Sequence, residues 1–336
     1  MIKFVEFENF KAFKKVTIPL EPLTVFVGAN ASGKTSVLEG LNILSYALVG
    51  PNLTATSQAF EELYKRGGEG PMKLAVSASQ EGENKRFELT SATIEPGVFG
   101  WERSASMQPS DLGILPIFRF EAKRLAAPSP TLLSQGIPRL VDIFENLAPV
   151  LAHIALTEPE RFGMLKVGMR SIVPSIREIR FNKFETSPQA YGYQLVFDMK
   201  GAPNIRASQV SSGTLLALAI LTVVIHPSRP QLVLLDDIEQ GLHPMAQVAL
   251  ISLLRKIMEQ NPELQVLATT HSPYLLSALK PEEVRLTIMD EQGEAHCASL
   301  TDSPDFEKWK DELTPGEMWS VLGEDWVLKL QGQGAR

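Results

Sequence analysis

The sequence predicts an α/β fold: a mixed central sheet with an antiparallel β lobe at its N-terminal side and an inserted helical lobe. Three observations carry this. A nearly unbroken apolar run, Leu23–Val27, leads into a glycine-rich turn at 28–33, and Val37, Leu38, Leu41, Leu44 and Leu48 then recur at helical spacing, which opens a βα unit. Helical and strand patterns alternate again over 211–300, the order of a largely parallel sheet. Segments 72–78 with 85–93, and 176–184 with 191–199, alternate with the two-residue period of paired antiparallel strands.

Taken in order, residues 1–27 read as strands at Ile2–Phe7, Val16–Ile18 and Leu23–Val27, the last apolar enough for a strand buried on both faces. Residues 51–70 are polar and glycine-rich. The pair 72–78 and 85–93 is expected on the edge of the fold, and the Pro, Gly and Ser content of 95–116 reads as a loop. Residues 137–169 carry Leu140, Ile143, Phe144, Leu147 and Leu151 on one helical face. The last third reads as helix 214–225, strand 231–236, helix 244–260, strand 264–270, short helix 273–279 and strand 284–289. These elements group as one head over 1–300, made of a β and glycine-loop lobe (1–95), a loop and helical insert (96–170) and a third lobe (171–300). Residues 301–336 form a tail expected to pack on it.

Hydrophobic residues make up 44% of the 336, enough for a large core, and charged residues 21%. A net charge of -7 is not the field of a dedicated nucleic-acid binder, although it leaves local basic patches open. The single cysteine, Cys297, excludes an internal disulfide and a multi-cysteine metal site. The longest apolar stretch, Leu215–Ile225, is too short to span a bilayer. A soluble cytoplasmic protein with no membrane partner is expected.

Four motifs carry chemistry. Gly28-Ala29-Asn30-Ala31-Ser32-Gly33-Lys34-Thr35 matches G-x-x-x-x-G-K-[ST] between an apolar strand and an amphipathic helix, the context that separates a phosphate-binding loop from an ordinary glycine turn. Glycines let backbone N–H groups turn inward around phosphate oxygens, and the helix N-terminus adds partial positive charge. The candidate nucleotide site is Gly28, Asn30, Ala31, Ser32, Gly33, Lys34, Thr35 and Ser36, with Lys34 reaching the β- and γ-phosphates and Thr35 offering a hydroxyl to Mg²⁺. Second, Leu232-Val233-Leu234-Leu235 ends in Asp236-Asp237, which places Asp236 where α/β sheets hold ligands and where a carboxylate serves Mg²⁺. Third, Ser211-Ser212-Gly213-Thr214 opens an apolar helix, as an anion-binding terminus or simply an N-cap. Fourth, His271 follows an apolar strand, where an imidazole can contact a γ-phosphate or place water.

The succession of glycine loop, serine-glycine turn, acidic strand, Gly241-Leu242-His243-Pro244 and Thr270-His271-Ser272 resembles an ABC-type ATPase head. More narrowly it resembles the RecF/SMC-like and OLD-like bacterial ATPases, which share a sequence like Asn9-Phe10-Lys11-Ala12-Phe13 before the loop and often a Ser-x-Gly-Thr signature. The resemblance covers roughly residues 1–290, and Gly316-Glu317-Met318-Trp319 with Gly323-Glu324 looks like the ending of stand-alone members. It implies ATP and Mg²⁺ as ligands, with Thr35 and Asp236 holding the metal. Ser211, Ser212, Gly213 and Thr214 would act in trans on ATP bound to a second protomer, His271 as the switch histidine, and Gly241–His243 at the dimer interface. Two heads would then close on ATP and part on hydrolysis, as a homodimer or a higher homo-oligomer.

One position departs from the family pattern. The hydrolytic residue there is usually a glutamate directly after the acidic-strand aspartate, and position 237 is Asp. The shorter arm sits one methylene back from the attacking water, and a misplacement of about 1 Å can cost about a hundredfold in rate. Slow hydrolysis is therefore expected. Glu239 is an alternative base if the strand continues far enough to put it on the same side as Asp237. Gln58, Gln80 and Gln108 all fall in the interval where relatives carry a glutamine contact, and Lys11 falls where relatives place a basic residue near the nucleotide.

The segment after His271 lacks the spaced acidic residues of a Toprim nuclease, and the insert is too short for SMC arms. Head closure is thus expected to act on a separate effector protein, in a bacterial defence or toxin–antitoxin-like assembly. The competing class is a DNA-repair ATPase clamping duplex DNA, lined by Arg170, Arg177, Arg180 and Lys183, a run that also reads as a solvated face. A transporter ATPase is disfavoured by the N-terminal strands and the Ser-x-Gly-Thr turn.

Overall fold

A computed structural model describes residues 1–50, 54–56, 62–64, 68–80, 83–95, 98–130, 143–187 and 190–333. Gln58 and Leu140 lie outside them. The chain divides into two compact units. The first comprises Met1–Ile117, Pro230–Asp237 and Glu263–Arg336, and the second Phe118–Arg229 and Ile238–Pro262.

The first unit holds two sheets. The antiparallel one runs in the order Phe13–Pro19, Ile2–Phe10, Lys73–Gln80, Glu83–Glu95, Val98–Ala105, Thr54–Thr56. The predicted pair at 72–78 and 85–93 therefore lies inside this sheet rather than on an edge of the fold, because strands cover it on both sides. Part of the expected loop 95–116 is strand Val98–Ala105, whose register with Glu83–Glu95 runs from Phe87↔Ala105 to Glu95↔Val98. Ladder hydrogen bonding here outweighs the turn-like composition. The N-terminal strands are also longer than their apolar patterns.

The mixed sheet contributes five strands to this unit, in the order Ala295–Ser299, Val284–Met289, Leu23–Val27, Gln265–Thr270, Leu232–Leu235. The last four are mutually parallel, and Ala295–Ser299 pairs antiparallel with Val284–Met289. Helix Lys34–Val49 buries Val37, Leu38, Leu41 and Leu44 in a core with Phe7, Phe10 and Phe13 of one sheet and Phe26, Leu234 and Leu267 of the other. Gly40 permits this fit, since a Cβ there would meet the Phe7 ring at 2.3 Å. Buried Gln265 ties the sheets, its Nε2 donating to the carbonyls of Ile2 (2.9 Å) and Glu21 (3.0 Å) while its Oε1 accepts the Ile2 N–H (3.0 Å). Helix Pro315–Leu322 packs on Pro273–Leu276, where a Cβ at Gly316 would sit 1.9 Å from the Pro273 carbonyl oxygen.

The second unit contains helices Ile143–Thr157, Pro159–Ile172, Ser212–Ile225 and Pro244–Gln260. Its sheet is Ile176–Ser187, Ala190–Met199 and Ala202–Arg206, with Ser129–Pro130 also pairing with Ala190–Met199. Every residue of helix Ser212–Ile225 from Gly213 onward is buried, as expected of a helix apolar on all sides.

Candidate nucleotide-binding site

The loop at 28–35 leaves the C-terminal end of strand Leu23–Val27, whose neighbour on one side, Gln265–Thr270, separates it from Leu232–Leu235. Loop and acidic residues thus share one end of parallel strands, where such sheets bind ligands. Gly28 stands at φ 153, and a Cβ there would lie 2.0 Å from the Thr287 carbonyl oxygen, so no larger residue fits. Ala31 (φ 62) and Gly33 (φ 100) are left-handed, the local geometry of backbone anion nests. Helix Lys34–Val49 begins at Gly33 with no side-chain cap, so no side chain competes for its first N–H groups. Asn30 and Ala31 are exposed, Ser32, Gly33 and Lys34 buried, and Thr35 and Ser36 half-buried in the first helical turn.

Lys34 donates from Nζ to the carbonyls of Gly28 (3.0 Å) and Ala29 (2.7 Å), which holds the ammonium against the loop. The Thr35 hydroxyl donates to Asp236 Oδ1 at 3.3 Å. Thr269 donates to the same oxygen at 2.5 Å, and its hydroxyl accepts the Asp237 N–H at 2.8 Å. A hydroxyl and a carboxylate at this separation are the oxygen donors a hard cation takes, so these residues fit Mg²⁺. Asp237 has φ 51, a left-handed conformation that aspartate tolerates better than most residues.

The strand predicted over 231–236 stops at Leu235, and the left-handed Asp237 breaks the alternation. The strand-continuation argument for Glu239 therefore fails. Glu239 lies in a turn, its carbonyl accepting the Leu242 N–H at 3.0 Å. His271 is exposed directly after strand Gln265–Thr270. The next residue, Ser272, caps the short helix Pro273–Leu276, which is shorter than the predicted 273–279.

In the second unit, Ser211 is an N-cap: its Oγ accepts the Thr214 N–H at 3.3 Å and lies 2.8 Å from Thr214 Oγ1. Ser211 and Ser212 are exposed, while Gly213 and Thr214 are buried. A Cβ at Gly213 would lie 2.2 Å from the Gly241 carbonyl oxygen. The Gly-Leu-His-Pro turn thus packs directly on the serine-glycine turn. His243 caps helix Pro244–Gln260 through Nδ1, which accepts the Met245 N–H at 3.3 Å.

Lys11 pairs with Glu39 on the helix that follows the loop. Gln108 caps Pro109–Leu112, its N–H donating to Asp111 Oδ2 at 2.6 Å. Gln80 ends a strand opposite Glu83. In the expected basic lining, Arg180 pairs with Asp198 (2.6 Å), Arg170 with Glu178 (3.6 Å), and the Lys183 ammonium sits 3.6 Å from the Tyr191 ring centroid. The Arg180 hydrogen bond, with the Asn204 N–H, holds Asp198 below the usual carboxylate range.

Sequence reasoning missed two threonines. Besides Thr269, buried Thr287 lies 2.6 Å from Ser32 Oγ and donates to the Val27 carbonyl at 3.3 Å, buttressing the loop from the neighbouring strand. The available signal was the threonines set in apolar strands, two in QVLATT and one in VRLTIM, because buried hydroxyls need partners. Asp290, Glu294 and His296 also bring ligand-type atoms within 4.8 Å of one another. Their hydrogen bonds make them a turn clasp: Asp290 accepts the N–H of Gln292 and of Glu294 and lies 2.8 Å from His296 Nε2. Burial pushes the Asp290 carboxyl up, and the bonds from His296 and Glu294 outweigh it, leaving it below its ordinary value.

A phosphate-binding loop whose threonine faces a carboxylate at one end of parallel strands is the arrangement of a P-loop ATPase domain. Residues 109–277 match a sequence family described as "AAA domain, putative AbiEii toxin, Type IV TA system", and residues 1–90 match an AAA ATPase domain. The chain belongs to the first of these families. It is 23% identical over 317 residues to the Septu protein PtuA of Bacillus mycoides (strain KBAB4), covering 88% of this chain and 41% of that protein. It is 29% identical over 123 residues to the DNA replication and repair protein RecF of Streptomyces avermitilis, covering 35% of this chain and 31% of that one. The chain thus spans less than half the length of these relatives. An SMC head bound to the C-winged helix domain of ScpA shares the fold, with TM-score 0.61 and 14% identity over 91% of this chain and 99% of that one. Among the described residues, no helix is long and apolar enough to cross a membrane.

Proposed function

We propose that this chain is a cytoplasmic Mg-ATP-dependent head that hydrolyses ATP slowly and closes on a second copy of itself. Closure gates a separate effector in a bacterial defence or toxin–antitoxin-like assembly. The observation that carries the nucleotide reading is the convergence of Lys34, Thr35 and Asp236, with Thr35 Oγ1 at 3.3 Å from Asp236 Oδ1. Lys34 and the loop N–H groups hold the phosphates, and Thr35 with Asp236 holds the metal. Bound Mg²⁺ would neutralise charge on the β- and γ-oxygens. Asp237 orients the attacking water from a short arm, and His271 meets the γ-phosphate. Exposed Ser211 and Ser212, with the backbone of Gly213 and Thr214, reach the partner's nucleotide.

The toxin–antitoxin family description and the Septu relative support the assembly class, and the SMC head solved with a bound partner supports closure acting on another protein. The RecF match favours a second reading, a DNA clamp. Against it, three of the expected cations are engaged by Asp198, Glu178 and Tyr191. Phosphate release from wild type, Lys34→Ala and Asp237→Asn tests hydrolysis, with activity expected only in wild type. Rapid turnover of Asp237→Asn would sink the assigned base. ATP-dependent DNA binding with a steep salt slope would select the clamp.

A further inference from the structure

Between the nucleotide loop strand and the acidic strand runs Gln265–Thr270, and the side chain it aims at the acidic residues is Thr269. The residue is fully buried. Its hydroxyl spends its hydrogen on Asp236 Oδ1 (2.5 Å) and a lone pair on the Asp237 N–H (2.8 Å). These partners lie 33 and 32 residues away in sequence. We propose that Thr269 is a positioning residue for ATP hydrolysis: one hydroxyl fixes both the metal-binding and the water-orienting aspartate, and ties them to the strand that leads into His271. The inference rests on the ATPase reading above.

Two features make the dependence strong. Asp236 Oδ1 is shared between Thr269 and Thr35, so the Thr269 bond sets which way the carboxylate faces the Thr35 hydroxyl. Asp237 sits in a left-handed conformation (φ 51), which persists where surrounding bonds hold it. An aspartate reaches less far than a glutamate, so its carboxylate position follows its backbone closely. His271 lies two residues beyond Thr269 in the chain. A shift of that strand end on contact with the γ-phosphate would therefore be felt at both aspartates.

The test compares Thr269→Val, which keeps the shape and loses the hydroxyl, with Thr269→Ser, which keeps the hydroxyl, and with Lys34→Ala. Hydrolysis is read beside two measurements that need no turnover: metal-free binding of a fluorescent ATP analogue, and Mn²⁺ binding by paramagnetic resonance with a non-hydrolysable analogue. Thr269→Val is expected to slow hydrolysis about thirtyfold, from an orphaned N–H and a loosened carboxylate, and to weaken Mn²⁺ about tenfold. Metal-free nucleotide binding should stay at the wild-type value, and Thr269→Ser should restore both losses. Wild-type hydrolysis and Mn²⁺ affinity in Thr269→Val, beside an inactive Lys34→Ala, would overturn this assignment alone. Thr269→Ser as damaged as Thr269→Val would overturn it in favour of packing. Full hydrolysis by Lys34→Ala would overturn the ATPase reading and the assignment with it.

Discussion

The nucleotide loop and the serine-glycine turn are both glycine-bearing entries to a helix, and they spend their hydrogen bonds differently. Helix Lys34–Val49 starts at Gly33 without a side-chain cap, and the polar side chains around it, Ser32, Lys34, Thr35, Asp236, Thr269 and Thr287, engage one another or the loop. Helix Ser212–Ile225 starts with Ser211 committed to an N-cap and with Gly213 pressed on Gly241. A site assembled within one chain shows its chemistry in that chain's contacts. The serine-glycine turn, which the proposed function assigns to the nucleotide of a second copy, shows only its local job within the chain, a cap and an exposed pair of serines.

The sharpest way to break this comparison is to mutate one residue on each side. Lys34→Ala is expected to lower hydrolysis about a hundredfold or more, since under the proposed function it removes the charge that would stabilise the transferring phosphoryl group. Ser211→Ala should leave monomer ATP affinity at the wild-type value in an equilibrium binding assay; a large loss would show that the turn serves its own chain's nucleotide. Next in size, Gly28→Ala and Gly213→Ala force a Cβ to within 2.0 and 2.2 Å of a carbonyl oxygen. Each should cost about 2–4 kcal/mol in denaturant unfolding, and only the first should impair ATP binding beyond its effect on folding. Asp237→Glu, which restores the longer arm, should raise single-turnover hydrolysis about tenfold; an unchanged rate would remove the account of slow turnover. Loss of the Ser211 cap should cost about 1 kcal/mol, read as a lowered thermal midpoint.

The smallest effect concerns the sheet beneath the loop. Half-buried Cys297 lies on edge strand Ala295–Ser299, whose Ala295 Cβ would stand 3.1 Å from a Cβ at Gly33. Burial pushes the thiol pKa from 9.0 up to about 12. The folded state therefore holds this proton more tightly than the unfolded state. The contribution is full below pH 9.0 and is lost as pH rises towards about 12. Cys297→Ala should flatten that alkaline limb, and native Cys297 should resist alkylation at pH 8.5.

Much of this was legible in the sequence where geometry is local. The strand–loop–helix opening, helix 244–260 and strand 284–289 follow from runs of adjacent residues, and their observed bounds agree closely. Strand Val98–Ala105 was not legible, because its composition is that of a loop and its pairing with Glu83–Glu95 supplies the ladder. The end of the acidic strand was obscured for a similar reason. Asp236 continues the sequence pattern, while the strand stops at Leu235 and the left-handed Asp237 donates its N–H to Thr269 on another strand. The threonine in VRLTIM marked a buried hydroxyl, but its partner was out of reach, since Ser32 is 255 residues away from Thr287. In each case the missing information was which strand stands beside which.

The central claim is that ATP bound in the first unit brings two copies together through the exposed turn of the second. Light scattering of wild type, Lys34→Ala and Ser211→Ala, with and without Mg-ATP, tests it most directly. The account predicts that Mg-ATP doubles the mass of wild type and leaves both variants monomeric. A wild-type mass that does not respond to Mg-ATP, or a Ser211→Ala variant that dimerises as wild type does, would contradict it.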